Sequence, residues 1–92
     1  WEAALALLKL GYTNTKTEDM INNLLKRSYY YTYQELDENT VNFVMLKILN
    51  ILYSIDNVQL LKSFKTNIQF LALEDPNLEI RNYAKKLSKT IQ

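Results

Sequence analysis

The sequence predicts an all-α fold of about five antiparallel helices, and three observations carry that expectation. Apolar residues recur at helical rather than alternating spacing along most of the chain. The 92 residues include one glycine and one proline, which leaves few hairpin or tight-turn signals. The third observation is the stretch from Asn39 to Ile55. Its apolar residues include Val41, Phe43, Val44, Met45, Leu46, Ile48, Leu49, Ile51 and Leu52, so on a helix only a narrow strip through Lys47, Asn50 and Ser54 stays polar. Such a helix is expected to be buried on most of its circumference and to form the centre of the domain.

The composition then narrows the class. A chain of this length makes one domain, residues 1–92, burying roughly 60 to 65% of its unfolded surface. It has no cysteine for a disulfide or thiolate metal site, and no histidine, the commonest general base and metal ligand. Eleven basic against ten acidic residues give a net charge of +1, so any charge-driven binding must be local. Lys47, Asn50 and Ser54 interrupt the richest apolar stretch, so no membrane insertion is expected. The start at Trp1 lacks the charged region and cleavage pattern of a signal peptide and reads as the cut edge of a longer repeat protein.

In order along the chain, Trp1 to Leu10 is rich in alanine and leucine and is followed by Gly11, where a helix places its C-terminal stop. This first helix is nearly free of charge, so both of its sides are expected to face protein. Thr15 and Glu18 have the spacing of a capping box for the second helix, which carries Met20, Ile21, Leu24, Leu25 and Ser28 on one face and runs into Tyr29, Tyr30, Tyr31 and Tyr33. Some of those rings must be buried and some exposed, as amphipathic packing or as an aromatic contact patch. The acidic link from Gln34 to Glu38 complements the positive end of the third helix.

Asp56 and Gln59 form a cap-like pair for the fourth helix, with Val58, Leu61, Phe64, Ile68 and Leu71 on its apolar face. Asp75 suits an N-cap and Pro76 the first position of the last helix. That helix is expected to bury Leu78, Ile80, Tyr83, Ala84, Leu87 and Ile91, and to expose Arg81, Lys85, Lys86 and Lys89.

The pattern repeats internally. A shift of 39 lays Val41, Val44, Met45, Ile48 and Leu52 on Ile80, Tyr83, Ala84, Leu87 and Ile91. A shift of 40 lays Ile21, Leu24, Ser28 and Tyr31 on Leu61, Phe64, Ile68 and Leu71, and a shift of 41 brings Ala3, Ala4 and Leu7 onto Val44, Met45 and Ile48. Leu71, Leu73, Asp75, Pro76, Ile80, Arg81, Ala84 and Leu87 together resemble the pattern of the HEAT repeats, with the armadillo repeats as close relatives. The resemblance implies a right-handed α-α superhelix, a solenoid fragment, in which Asp75 and Arg81 belong to a ladder between successive repeats. Asn42 and Leu36 stand where the middle repeat would carry Arg and Asp, so the ladder is expected to be broken there.

Such a solenoid presents an extended surface lined by the second helices of its pairs. The expected function is a non-catalytic protein-interaction module, a scaffold or adaptor, with a protein partner contacted by Tyr30, Tyr31, Lys47, Asn50, Arg81, Lys85 and Lys89. The alternative is nucleic-acid binding through the basic face of the last helix, against which stands the near-neutral charge. Catalysis is the least favoured reading, because Glu35, Asp37 and Glu38 sit in a surface link without an enclosing cleft. No cofactor, metal or small-molecule substrate is expected, and the family resemblance implies an intracellular location, cytoplasmic or nuclear.

Overall fold

Capping side chains start four of the helices, and a glycine follows the first. The computed structural model describes residues 2–91, the side chains of Glu2 and Ala4 excepted. The expectations placed on Trp1 and Ala4 lie outside the described residues. Helix α1 spans Glu2–Lys9, α2 Thr15–Leu24, α3 Arg27–Tyr29, α4 Glu38–Tyr53, α5 Val58–Leu61, α6 Lys65–Glu74 and α7 Leu78–Ile91. A π-helical turn over Tyr30–Gln34 extends α3, and a 3-10 turn over Lys62–Phe64 joins α5 to α6. No strand occurs among the described residues.

Gly11 follows α1 at φ +89°, a left-handed conformation that glycine adopts without steric cost. The expected caps move by one or two residues. Asn14 rather than Thr15 caps α2, accepting from the Thr17 N–H, while Glu18 is bound by the Thr13 and Ser63 hydroxyls. Asn57 rather than Asp56 caps α5, accepting from the Leu60 N–H. Asn77, not Asp75, accepts from the Ile80 N–H at the start of α7. In each case an asparagine side-chain oxygen accepts from an N–H of the first turn that has no partner within the helix. Asp37 caps α4 within the acidic link.

Helix α7 lies against both α6 and α4, and α2 packs on the segment preceding α6. Asn22 fixes the second contact, donating to the Ser63 carbonyl at 3.3 Å and accepting from the Asn67 amide at 2.8 Å. The core runs through all of this. Leu5 and Leu8 enter from α1, Ile21 and Leu24 from α2, and Val41, Met45, Ile48, Leu49 and Leu52 from α4. Leu61, Phe64, Ile68 and Leu71 meet Ile80, Ala84, Leu87 and Ile91 from the other side.

The match at a shift of 39 is reproduced in burial, since Val41, Met45, Ile48 and Leu52 are buried like Ile80, Ala84, Leu87 and Ile91, and Val44 is half-buried like Tyr83. The match at 40 holds for Ile21 and Leu24 and then stops, because α2 ends there and Ser28 and Tyr31 are exposed. For α1 the shift is 40 rather than 41: Leu5 and Leu8 are buried at the places of Met45 and Ile48, whereas Leu7 is exposed. Among its described side chains, α1 buries one face within this chain, through Leu5 and Leu8. Helix α4 is also one-sided, with Phe43 69% exposed beside Lys47, Asn50 and Ser54. Leu78, expected to be buried, is exposed as well, and so is Met20 on the apolar face of α2.

Candidate functional site

Three features could carry function, and the first is built around a charge inside the fold. The chain breaks after α2, with Lys26 extended at φ −108° and ψ 116°, and this turns Arg27 toward the link between α6 and α7. Arg27 grips Asp75 with two parallel bonds, Nε to Oδ1 at 3.0 Å and Nη2 to Oδ2 at 2.9 Å. The same Nη2 donates to Asn42 on α4 at 2.7 Å, and Nη1 to the Tyr31 hydroxyl at 3.3 Å. Asp75 is buried, and its Oδ2 also accepts from the Asn77 N–H. Arg81 donates to the Asp75 backbone carbonyl at 2.7 Å. Burial alone pulls the Arg27 guanidinium pKa down, but the bonds to Asp75 and Tyr31, and their charges, outweigh it and hold it above its ordinary value.

This cluster revises the expected ladder. The Asp75 carboxylate goes to Arg27 at the start of α3, and Arg81 donates to the Asp75 carbonyl. Asn42, which stands where the resemblance would place Arg, accepts from the same guanidinium that holds Asp75.

The second feature bridges α4 and α7. The Tyr83 hydroxyl donates to Asn50 Oδ1 at 2.6 Å, and the Tyr53 and Tyr83 rings meet edge to face at 6.0 Å. The Lys86 ammonium lies 4.7 Å from the Tyr53 ring centre and 5.9 Å from that of Tyr83, within cation–π range of both. Lys86 is thereby turned away from the wall that carries Lys85 and Lys89.

The third feature is a groove of about 530 Å3 between α6 and α7. Gln69, Ala72 and Leu73 line it from α6, and Lys85, Ser88 and Lys89 from α7. Leu73 is 74% exposed.

The expected contact residues do not converge on one surface. Tyr30 leaves the set altogether. It is 2% exposed, and its hydroxyl donates to the Leu24 carbonyl that the end of α2 leaves without a helical partner. Burial, with a smaller contribution from Tyr29, pushes its phenol well above the ordinary value. Tyr31 is exposed beside Arg27. Lys47 lies with Leu5, Ala6, Lys9 and Ile51 at a hollow between α1 and α4. Asn50 belongs to the Tyr83 bridge, Arg81 to the Asp75 link, and Lys85 and Lys89 share the groove between α6 and α7.

No family model, curated protein or solved structure matches the chain. Among the described residues no group of three or more His, Cys, Asp or Glu is placed to hold a metal ion, and no helix is long and apolar enough to cross a membrane. Sequence reasoning missed Arg27, Tyr53, Tyr83 and Ser88. Arg27 reads as one more polar residue of a continuous second helix, and Tyr83 as a core ring. The Tyr83 partnership with Tyr53 at a separation of 30 residues follows only from the side-by-side placement of α4 and α7.

Proposed function

We propose that this chain is a non-catalytic protein-interaction module, a fragment of a HEAT-like right-handed α-α superhelix acting as scaffold or adaptor. The observation that supports the reading is that α7 packs against both α6 and α4, as the second helix of a hairpin would in a stacked repeat. The burial match between α4 and α7 at a shift of 39, and the Arg27 clasp across the link, support it further. The large apolar residues at the surface fit a contact role, since Phe70, Leu73 and Leu78 on α6 and α7 are each more than half exposed. The family resemblance is the ground for placing the module in the cytoplasm or nucleus.

The nucleic-acid alternative loses part of its basic row, because Arg81 is held at Asp75 and Lys86 at Tyr53. Tagged capture from cells, with and without nuclease, separates the two readings. A defined protein partner that survives nuclease supports the interaction module. Partners lost entirely on nuclease treatment overturn it in favour of nucleic-acid binding.

A further inference from the structure

The groove between α6 and α7 combines an apolar floor with a wall of one charge. Ala72 and the exposed Leu73 form the floor, and Lys85 and Lys89 stand one helical turn apart along the wall. Like charges four residues apart on a helix repel each other. Lys85 and Lys89 make no ion pair among the described residues, and none of the described residues lining the groove carries a carboxylate. Gln69 and Ser88 add uncharged hydrogen-bonding groups.

An occupant relieving both the exposed floor and the unbalanced wall carries an aliphatic or aromatic side chain flanked by carboxylates. We infer that this groove docks an acidic amphipathic segment of a partner protein, its apolar side chain on Ala72 and Leu73 and its carboxylates on Lys85 and Lys89. The inference rests on the reading of the chain as a protein-interaction module and names the chemistry of the partner. Two lysines beside an apolar floor suit a peptide better than a phosphate backbone, which calls for a longer basic row.

The test uses the whole 15N-labelled chain and a synthetic helical peptide of about 14 residues, with leucine at i, i+3, i+4 and i+7, glutamate at a few positions flanking them, and alanine and glutamine elsewhere. A lysine-for-glutamate version of the peptide and a single-stranded oligonucleotide serve as comparisons. The expected result is saturable shifts of the Gln69, Leu73, Lys85, Ser88 and Lys89 amides with the acidic peptide. Affinity is expected to fall at least about tenfold in Lys85→Glu/Lys89→Glu and in Leu73→Ser, all exposed positions whose substitution leaves the core intact.

Equal shifts with the lysine peptide, no shifts in the groove, or tighter oligonucleotide binding there each overturn the inference. So do groove shifts that depend on chain concentration alone, which assign the face to a second copy. Acidic-peptide shifts confined to Tyr31 or Asn50 overturn the groove while leaving the interaction-module reading standing. That broader reading is decided separately, by the nuclease-treated capture.

Discussion

Arg27 and Asp75, 48 residues apart in the chain, form a two-bond ion pair in which the carboxylate side chain is 1% and the guanidinium side chain 12% exposed. The pair joins the segment after α2 to the link between α6 and α7, and Asn42 brings α4 into the same cluster. Removing either partner leaves the other charge poorly solvated. Arg27→Met or Asp75→Ala should each destabilise the fold by about 3 kcal/mol. The pair should show a coupling of about 1 to 3 kcal/mol in a double-mutant cycle read by urea unfolding. Strict additivity would mean that the pair contributes nothing beyond its separate parts.

Tyr30 and Tyr31 are adjacent and should behave oppositely. Tyr30→Ser opens a cavity under the π-helical turn and should cost about 3 to 5 kcal/mol. Tyr30→Phe keeps the ring but leaves the Leu24 carbonyl unbonded, at about 1 to 2 kcal/mol. Tyr31→Ser should stay within about 0.5 kcal/mol, because the residue is exposed and its bond to Arg27 is long. Thermal unfolding of the three variants checks the order. A stable Tyr30→Ser would place the ring outside the core.

Much of this was legible in the sequence, and the places where it was not share a cause. Helical periodicity located α4 and α7 and their buried positions, because long amphipathic helices reveal their face through spacing alone. The break at Leu25 and Lys26 carries neither glycine nor proline. It is stabilised by tertiary contacts, the Tyr30 hydroxyl on Leu24 and Arg27 on Asp75, which spacing does not encode. For the same reason spacing required some of the tyrosine rings to be buried and some exposed without saying which, and Tyr30 is core while Tyr31 is surface. Lys85 and Lys89 were found as a basic stripe, but their groove depends on Leu73 projecting from the neighbouring helix.

Backbone handedness gives a prediction independent of packing. Gly11 has nothing within 4 Å of where a Cβ would stand, yet its φ is +89°. Gly11→Ala should therefore destabilise by about 1 to 2 kcal/mol through the backbone alone. Glu35, at φ +51° after the π-helical turn, is the converse case. Glu35→Gly relieves about 1 to 2 kcal/mol of left-handed strain and loses about 0.4 to 1 kcal/mol through the freer unfolded chain. The balance should be a small gain in thermal stability, and a clear loss would mean that the Glu35 side chain is itself needed.

The Thr40 side chain and, after it, the Thr40 backbone N–H that donates to the Asp37 carboxylate at the start of α4 hold the Asp37 pKa below its ordinary value. A carboxylate depressed in the folded state stabilises above its unfolded pKa and loses that contribution as pH falls through the folded one. Urea midpoints should fall with acid in the parent chain, and less steeply in Asp37→Asn, which can still cap but does not titrate. Parallel pH profiles would remove Asp37 from the acid response.

The central functional claim is that the paired helices act by contact with a protein, and site-specific photocrosslinking in cells tests it most directly. A photoreactive residue is placed at Ser88, inside the α6/α7 groove, and at Lys16 on the exposed side of α2 as a control. The expected result is a discrete protein adduct from Ser88 that disappears with Lys85→Glu/Lys89→Glu and is absent from Lys16. Adducts of equal intensity from both positions, or adducts from Ser88 that ignore the charge reversal, would contradict it.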